Sequence, residues 1–500
     1  MATSIIRCRT MITRALDRTR WEEIADGAVL QEDGVILETG TYEDLSRRFP
    51  TLSVLGSGHE VMLPGFVNAH HHTGLTPVQL GSPDMPLELW FATRMVARAV
   101  DPYLDTLYSA FEMIQSGITT VQHIDGWYSG TLEESAARSE AVLKAYDDIG
   151  MRVSYSFSMR DQNRLVYKDD DKFAARLPQA LRDDMRAWFA RNTFPLDDQL
   201  DLFRHLFNSY EGQARTRIQL SPANLHWCSD QALGAVSELA SAYGVPVHMH
   251  LLETQYQREY ARRRSGGTAL EHIDRLGLLG PHLTIGHGVW LSETDIERIG
   301  ETRTCICHNC SSNFRLRSGI APLNRFETCG INTAIGLDEA GLNDDQDMLQ
   351  EMRLVLRAHR APGLEDADVP QMAQILRMAT RGGARTTPYG DQIGTLEAGR
   401  AADLSLVDWR QISYPYLDRE TPVLDAVIQR AKTEGMKLVM CNGTVIYEHG
   451  SFPLVDRHSA LTALHDSLGK TLTAEDLEQR LFAKDLLGHV KKFYAGYLKD

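Results

Sequence analysis

Apolar and polar positions follow one rhythm at the two ends of the chain and another through its middle. From "DGAVLQEDGVILETG" to "HEVMLPGF" apolar residues recur at every second position between Asp-Gly turns, which predicts short strands. The same rhythm returns at "GTLEAGRAADLSLVDW" and "MKLVMCNGTVIYEHGSF", and the opening "SIIRCRTMITR" alternates as a first strand does. Between these ends, apolar strand-like runs ("GITTVQHID", "MRVSYSFSM", "RIQLSPAN", "VPVHMHLLE", "LTIGHGV", "TCICHN", "NTAIGLDEA") alternate with stretches of helical spacing. "SDQALGAVSELASAYG" is one such stretch, with Asp near its start and Gly at its end.

Alternation of this kind predicts an α/β fold, a parallel (β/α)8 barrel of TIM type. The expected division is an N-terminal part of a β-sandwich over 1–62, the barrel over 63–390, the returning part of the sandwich over 391–456 and a helical segment over 457–500. Each end alone offers too few strands to bury a core, so the two are expected to meet. There is no sign of internal repeats or low complexity.

Composition narrows the function classes. A length of 500 residues suits one large domain plus an accessory one, and 43% hydrophobic with 24% charged residues reads as globular. A net charge of −15 argues against nucleic acid, whose phosphates are bound by clustered Lys and Arg. Seven cysteines in so long a chain read as reduced cytoplasmic thiols rather than a disulfide framework. Neither a secretory signal nor a run of about 18 apolar residues occurs, so no membrane partner is expected.

The chemistry gathers at predicted strand ends, where barrel active sites lie. In "LPGFVNAHHHTG", residues two apart share a face of a strand, so His70 and His72 point inward together while His71 points away, to packing. Two inward imidazoles can grip one ion; a plain polar strand end is the competing reading. "VPVHMHLLET" repeats the arrangement: His250, nearest the strand end, is expected at the mouth, His248 in a deeper layer, and Glu253 just beyond, placed for proton transfer. "LTIGHGVW" adds His287, and "NTAIGLDEAGLNDD" presents Asp338, which alone would more often be a helix cap.

At these residues the sequence resembles the amidohydrolase superfamily, in its branch of cytosine, guanine and S-adenosylhomocysteine deaminases and triazine hydrolases. The likeness is carried by "LPGFVNAHHH", "HMHLLET", "IGHGVWLS", "SSNFRLRSGIAP", "AIGLDEAGLNDD" and "GTLEAGRAADLSLVD". It implies His70, His72, His250 and Asp338 as metal ligands and Glu253, His287 and Asp338 as catalytic residues. Binuclear members bridge two ions with a carboxylated lysine, yet no lysine stands between Lys172 and Lys432, which favours one divalent ion per chain. Imidazole with one carboxylate suits Zn²⁺, with Fe²⁺ as the other candidate.

The implied reaction is hydrolytic deamination of a planar N-heterocycle such as a purine, pterin, pyrimidine or triazine. An ion with an open position brings a bound water to a pKa of about 7. Asp338 would take the water's proton, Glu253 would protonate the ring nitrogen beside the attacked carbon, and His287 would polarise the incoming oxygen. Removal of chloride or alkylamine, or opening of a cyclic amide, is the nearest variant; a non-enzymatic relative would have lost ligands. The expected partners are the heterocycle, water and further copies of the chain, as a homodimer or higher oligomer.

Substrate contacts are expected from Trp90 and Phe91, Trp127 and Tyr128, Asn224 and His123, each of which could equally serve packing. Glu339 stands where relatives carry a small residue, and could bind a cationic group or face solvent. Ala223 replaces a histidine found in nucleoside-acting relatives, which weighs against a nucleoside. "CICHNC" (Cys305, Cys307, His308, Cys310) invites a second zinc, but two of its cysteines alternate in a buried strand and a closed site needs two separated ligand pairs.

Overall fold

The computed structural model describes residues 3–126, 128–366 and 369–499. Its centre is mixed α/β with parallel sheets. β1 (Phe66–His71), β2 (Ile118–Asp125), β3 (Arg152–Met159) and the interrupted β4 (Thr216–Ile218, then Ser221–Pro222) form one parallel arc. β5 (Val247–Leu251), β6 (Leu283–His287), β7 (Cys305–His308) and β8 (Thr333–Ile335) form a second.

Single parallel bridges link the arcs: Leu220 to Val247 and Asn224 to His250 on one side, His71 to Asp338 on the other. The expected continuous ladder around all eight strands is absent among the described residues. β4 breaks at Gln219 and Leu220, and β8 is three residues long, so only isolated pairs form at those seams. β8 gives way to Gly336, where a Cβ would lie 2.5 Å from the His70 Cβ. Only glycine allows that approach.

Local chemistry explains the helices between strands. The predicted helix over "SDQALGAVSELASAYG" is Asp230–Tyr243, with the Ser229 hydroxyl accepting from the Ala232 N–H and Gly244 closing it at φ 63°. No helix among the described residues is long and apolar enough to cross a membrane.

Strands from both chain ends share one six-stranded sheet: Trp21–Ala25, Thr10–Ala15 and Glu60–Pro64 continue into Leu404–Asp408, Met436–Cys441 and Thr444–Glu448. A four-stranded sheet of Val35–Thr41, Gly27–Glu32, Thr3–Arg7 and Ser53–Leu55 stands apart from it. Ile6 and Val29 of the smaller sheet share an apolar cluster with Met11, Met62, Leu404 and Met440 of the larger. The opening run read as one strand is in fact two, Thr3–Arg7 and Thr10–Ala15, separated at Cys8 and Arg9 and placed in different sheets. The tail forms helices Arg457–Leu468 and Ala474–Tyr494.

Candidate metal centre and active site

The ends of β1, β5, β6 and β8 converge on one buried point. His70 Nε2 and His72 Nε2 are 3.0 Å apart, and His72 Nε2 is 3.0 Å from His250 Nε2. Asp338 Oδ1 lies 3.3 Å from His72 Nε2 and 3.7 Å from His70 Nε2.

The far nitrogens decide what these atoms can do. His72 Nδ1 is 2.7 Å from the Ile124 carbonyl and His250 Nδ1 is 2.7 Å from the Ala223 carbonyl. A carbonyl only accepts, so both Nδ1 atoms carry the proton and both Nε2 atoms present a lone pair. His70 Nδ1, 2.7 Å from His248 Nε2, can donate there and free its own Nε2. Burial, and then the neighbouring imidazoles, hold His70 and His250 well below the usual histidine range, so the rings stay neutral.

Lone pairs facing one another at this separation repel unless a cation lies among them. Nitrogens each at about 2.0–2.1 Å from a tetrahedral ion would sit ~3.3 Å apart. The donor set therefore fits a single divalent ion.

Glu253 and His287 stand over this point. Glu253 Oε2 is 3.7 Å from His287 Nε2, which is 3.6 Å from Asp338 Oδ2. His287 and Asp338 adopt left-handed backbone angles, φ 72° and 59°, a strained choice for residues with a Cβ. Burial pushes the Glu253 carboxyl up to about 7, against the lowering pull of His287 and the Ser318 hydroxyl.

One segment after β7 orients all three: Ser312 Oγ donates to Asp338 Oδ2 at 2.7 Å, Asn313 Oδ1 meets His287 Nδ1 at 2.9 Å, and Ser318 Oγ donates to Glu253 Oε1 at 3.0 Å. These three residues lie in "SSNFRLRSG", which in the sequence contributes only to the family resemblance and carries no role for any single residue.

A cavity of about 230 Å³ opens above, with His72, His250, Glu253, His287 and Asp338 in its lining. Trp90, Phe91, Asn224 and Glu339 line it as expected from sequence; Trp227, Arg94, Gln257 and the Asp125–Arg138 pair were not foreseen. Phe91 meets Trp227 edge to face with centroids 4.8 Å apart.

Glu339 accepts from Thr73 Oγ1 at 3.0 Å and pairs with Arg94 at 2.5 Å, so its charge is already answered within the cavity wall. Asp125 is held by Arg138 through two bonds of 2.8 and 3.0 Å; burial opposes its charge, but the guanidinium wins and keeps it well below the usual range.

Two expected contacts differ. His123 does not line the cavity: its Nδ1 meets the Tyr146 hydroxyl at 2.8 Å on helix Leu132–Ile149. Gln122 bonds Ser156 across to β3, whereas strand alternation turns His123 the opposite way. Tyr128 likewise serves structure, donating to Asp125 Oδ2 at 2.9 Å. Trp127 lies outside the described residues. His71 turns away from the site, its Nε2 3.2 Å from Ser109 Oγ, and His248 sits beneath His70, pushed down to about 3 by burial.

Residues 61–446 match the model of the amidohydrolase family. The chain belongs to that family. It is 30% identical over 427 residues to a 5-methylthioadenosine/S-adenosylhomocysteine deaminase of Syntrophobacter fumaroxidans, covering 84% of this chain and 88% of that protein. Its fold is similar to an adenosine deaminase from Xanthomonas campestris with bound zinc (TM-score 0.79, 23% identity, 94% of this chain and 98% of the other). It is also similar to a zinc complex of an atrazine chlorohydrolase from Arthrobacter aurescens (TM-score 0.79, 22% identity, 92% and 99%).

Proposed function

We propose that this amidohydrolase is a hydrolytic deaminase of a purine-type heterocycle, holding one divalent ion, most simply zinc, on His70, His72, His250 and Asp338. The observation that carries the reading is the convergence of three imidazole lone pairs and one carboxylate beneath an aromatic-walled cavity that also contains Glu253 and His287. The similarity to deaminases of adenine-containing nucleosides supports the leaving group and ring type.

The two strand arcs and their bridging residues support a closed (β/α)8 barrel over 63–390. The shared apolar cluster supports a β-sandwich drawn from 1–62 and 391–456, with 457–500 as a helical appendage. All seven cysteines are unpaired, which supports a reducing, cytoplasmic setting.

When bound, the ion supplies Lewis-acid activation of water at neutral pH. Asp338, fixed by Ser312, accepts a proton from the attacking water. Glu253, its carboxyl raised to about 7 by burial, exchanges a proton readily at neutral pH and in its protonated form delivers it to the ring nitrogen beside the attacked carbon. His287, fixed by Asn313, hydrogen-bonds the incoming oxygen. The new C–O bond forms as the ring nitrogen gains its proton; the proton returned by Asp338 lets the amine leave as ammonia with the C–N bond's electron pair, and the remaining hydroxyl proton passes to Glu253 as the ring carbonyl forms, restoring both carboxyl groups.

The test is elemental analysis of the purified chain followed by an ammonia-release screen over purine bases, purine nucleosides, pterins, pyrimidines and triazines. Release from at least one aminopurine is expected; chloride or alkylamine release from triazines with none from purines would move the chain to the neighbouring reaction. The small volume of the cavity, and Ala223 at the end of β4, which offers no side-chain hydrogen bond to a sugar, favour a substrate without one, purine base or triazine.

A further inference from the structure

Beyond its contacts with the barrel mouth, the Arg94–Glu339 pair and the Phe91–Trp227 ring contact among them, the aromatic wall of the cavity draws apolar support from outside the core around the strands. Trp90, Phe91 and Arg94 project from helix Leu87–Arg94, eight residues preceded by Pro86, which supplies no side-chain cap. A helix so short does not hold itself in water. Its apolar side chains instead join a second cluster, separate from the one that surrounds the strands, with Leu486, Val490, Tyr494 and Tyr497 of the chain's tail. The tail lies beyond the family match, which ends at residue 446.

Polar bonds staple the two together. Gln479 Nε2 donates to the Met95 carbonyl at 2.6 Å, and Arg98 Nη1 donates to the carbonyls of Leu468 at 2.6 Å and Lys470 at 2.9 Å. The Tyr167 N–H donates to Tyr494 Oη at 3.1 Å, and Tyr167 Oη donates to the buried Glu88 at 3.0 Å. Glu88 also accepts from the hydroxyl of Thr254, the residue after Glu253. Tyr494, 5% exposed, thus reaches through Tyr167 both Glu88 on the wall helix and, beyond Glu88, the turn that carries the proton donor.

We propose that helix Ala474–Tyr494 sets the substrate selectivity of the site by fixing helix Leu87–Arg94, with Tyr494 as the positioning residue. Ligand cavities commonly span about 300–1,000 Å³, so in one of about 230 Å³ a small movement of this wall changes which ring substituents fit. The inference rests on the deaminase reading for its substrates but not for its structural readout.

The experiment uses the full chain and its Tyr494→Ala, Tyr494→Phe and Gln479→Ala variants. Kinetics with adenine and 5′-methylthioadenosine compare two probes that share a ring and differ in bulk. Tyr494→Ala should change the ratio of their KM values by about 10-fold or more, the scale on which pocket fit discriminates. Ion content should be unchanged and kcat for the better probe largely kept, while Tyr494→Phe, which keeps the ring, should recover most of the ratio.

Hydrogen exchange should accelerate over residues 87–95 and stay unchanged over 247–251. If the wild type turns over neither probe, the KM ratio is read on two aminopurines of different bulk from the ammonia-release screen, and if none is turned over the deaminase reading fails and exchange alone decides whether the tail fixes the wall. An unchanged KM ratio with unchanged exchange over 87–95, or loss of the ion, would overturn it. Should Tyr494→Ala not fold, Gln479→Ala, at an exposed position, carries the same two readings at smaller amplitude.

Discussion

Two of the histidine clusters among the described residues invite a metal reading, and of these two the one around Asp338 is built to receive a cation. Around Asp338, the far nitrogens of His72 and His250 are pinned to backbone carbonyls, so their near nitrogens can only offer lone pairs to a common point. Near the end of β7, His308 Nε2 and His359 Nε2 are 2.8 Å apart, with Cys310 Sγ 4.0 Å from His359 Nε2. A single proton shared between the two rings satisfies that pair. His308 Nδ1 is buried without a hydrogen-bond partner among the described residues, so nothing orients the ring for a metal, and burial pushes the Cys310 thiol far up. Both bring imidazole nitrogens within about 3 Å of each other; besides the extra donors, a third imidazole and a carboxylate there against a thiol here, what differs is who holds the outer nitrogen.

The largest effect that could break this contrast is on the first cluster. His72→Ala should reduce the ion from about one per chain to near none and abolish turnover, and full occupancy by elemental analysis would refute the assignment. Glu253→Gln should keep the ion and lower kcat by about 10²–10⁴-fold, the usual worth of one acid–base group; loss of the ion would make Glu253 a ligand.

Ser312→Ala removes the bond that orients Asp338, and a weakening of metal affinity by about 10–100-fold is expected from competition with a chelator. The smallest change belongs to the second cluster. His359→Ala should leave ion content and kcat alone, and cost about 1–3 kcal/mol in denaturant unfolding by stranding His308 Nε2. Two ions in the wild type and one in Cys310→Ser would erase the distinction.

The site was more legible in the sequence than the fold around it. His-x-His at a strand end follows from period two, and the convergence of β1, β5, β6 and β8 follows from the α/β alternation. His123 escaped because its direction depends on which parity of β2 faces inward, and the run "TTVQHID" is apolar on neither side exclusively.

Arg94 and Glu339 stand 245 positions apart, so their pairing, which settles the question raised by Glu339, could not be seen locally. The division of "SIIRCRTMITR" is a tertiary decision: neither Gly nor Pro marks a break in the run, and only pairing to Gly27–Glu32 on one side and Glu60–Pro64 on the other sends the halves to different sheets. The aromatic residues of the cavity wall were visible as types, but not the tail that holds them.

The six-stranded sheet has a consequence for how the chain comes to be folded at all. Glu60–Pro64 pairs with Leu404–Asp408, about 340 residues later in the chain. At ribosomal rates of about 5–20 residues per second, roughly 20–70 s pass between the appearance of one strand and that of its neighbour. For that interval a fully apolar edge, "VMLP", waits with its hydrogen-bonding groups unpaired. The newborn chain is therefore most exposed to aggregation late in its synthesis, and slowing translation downstream of the barrel should lower its soluble yield more than slowing it upstream.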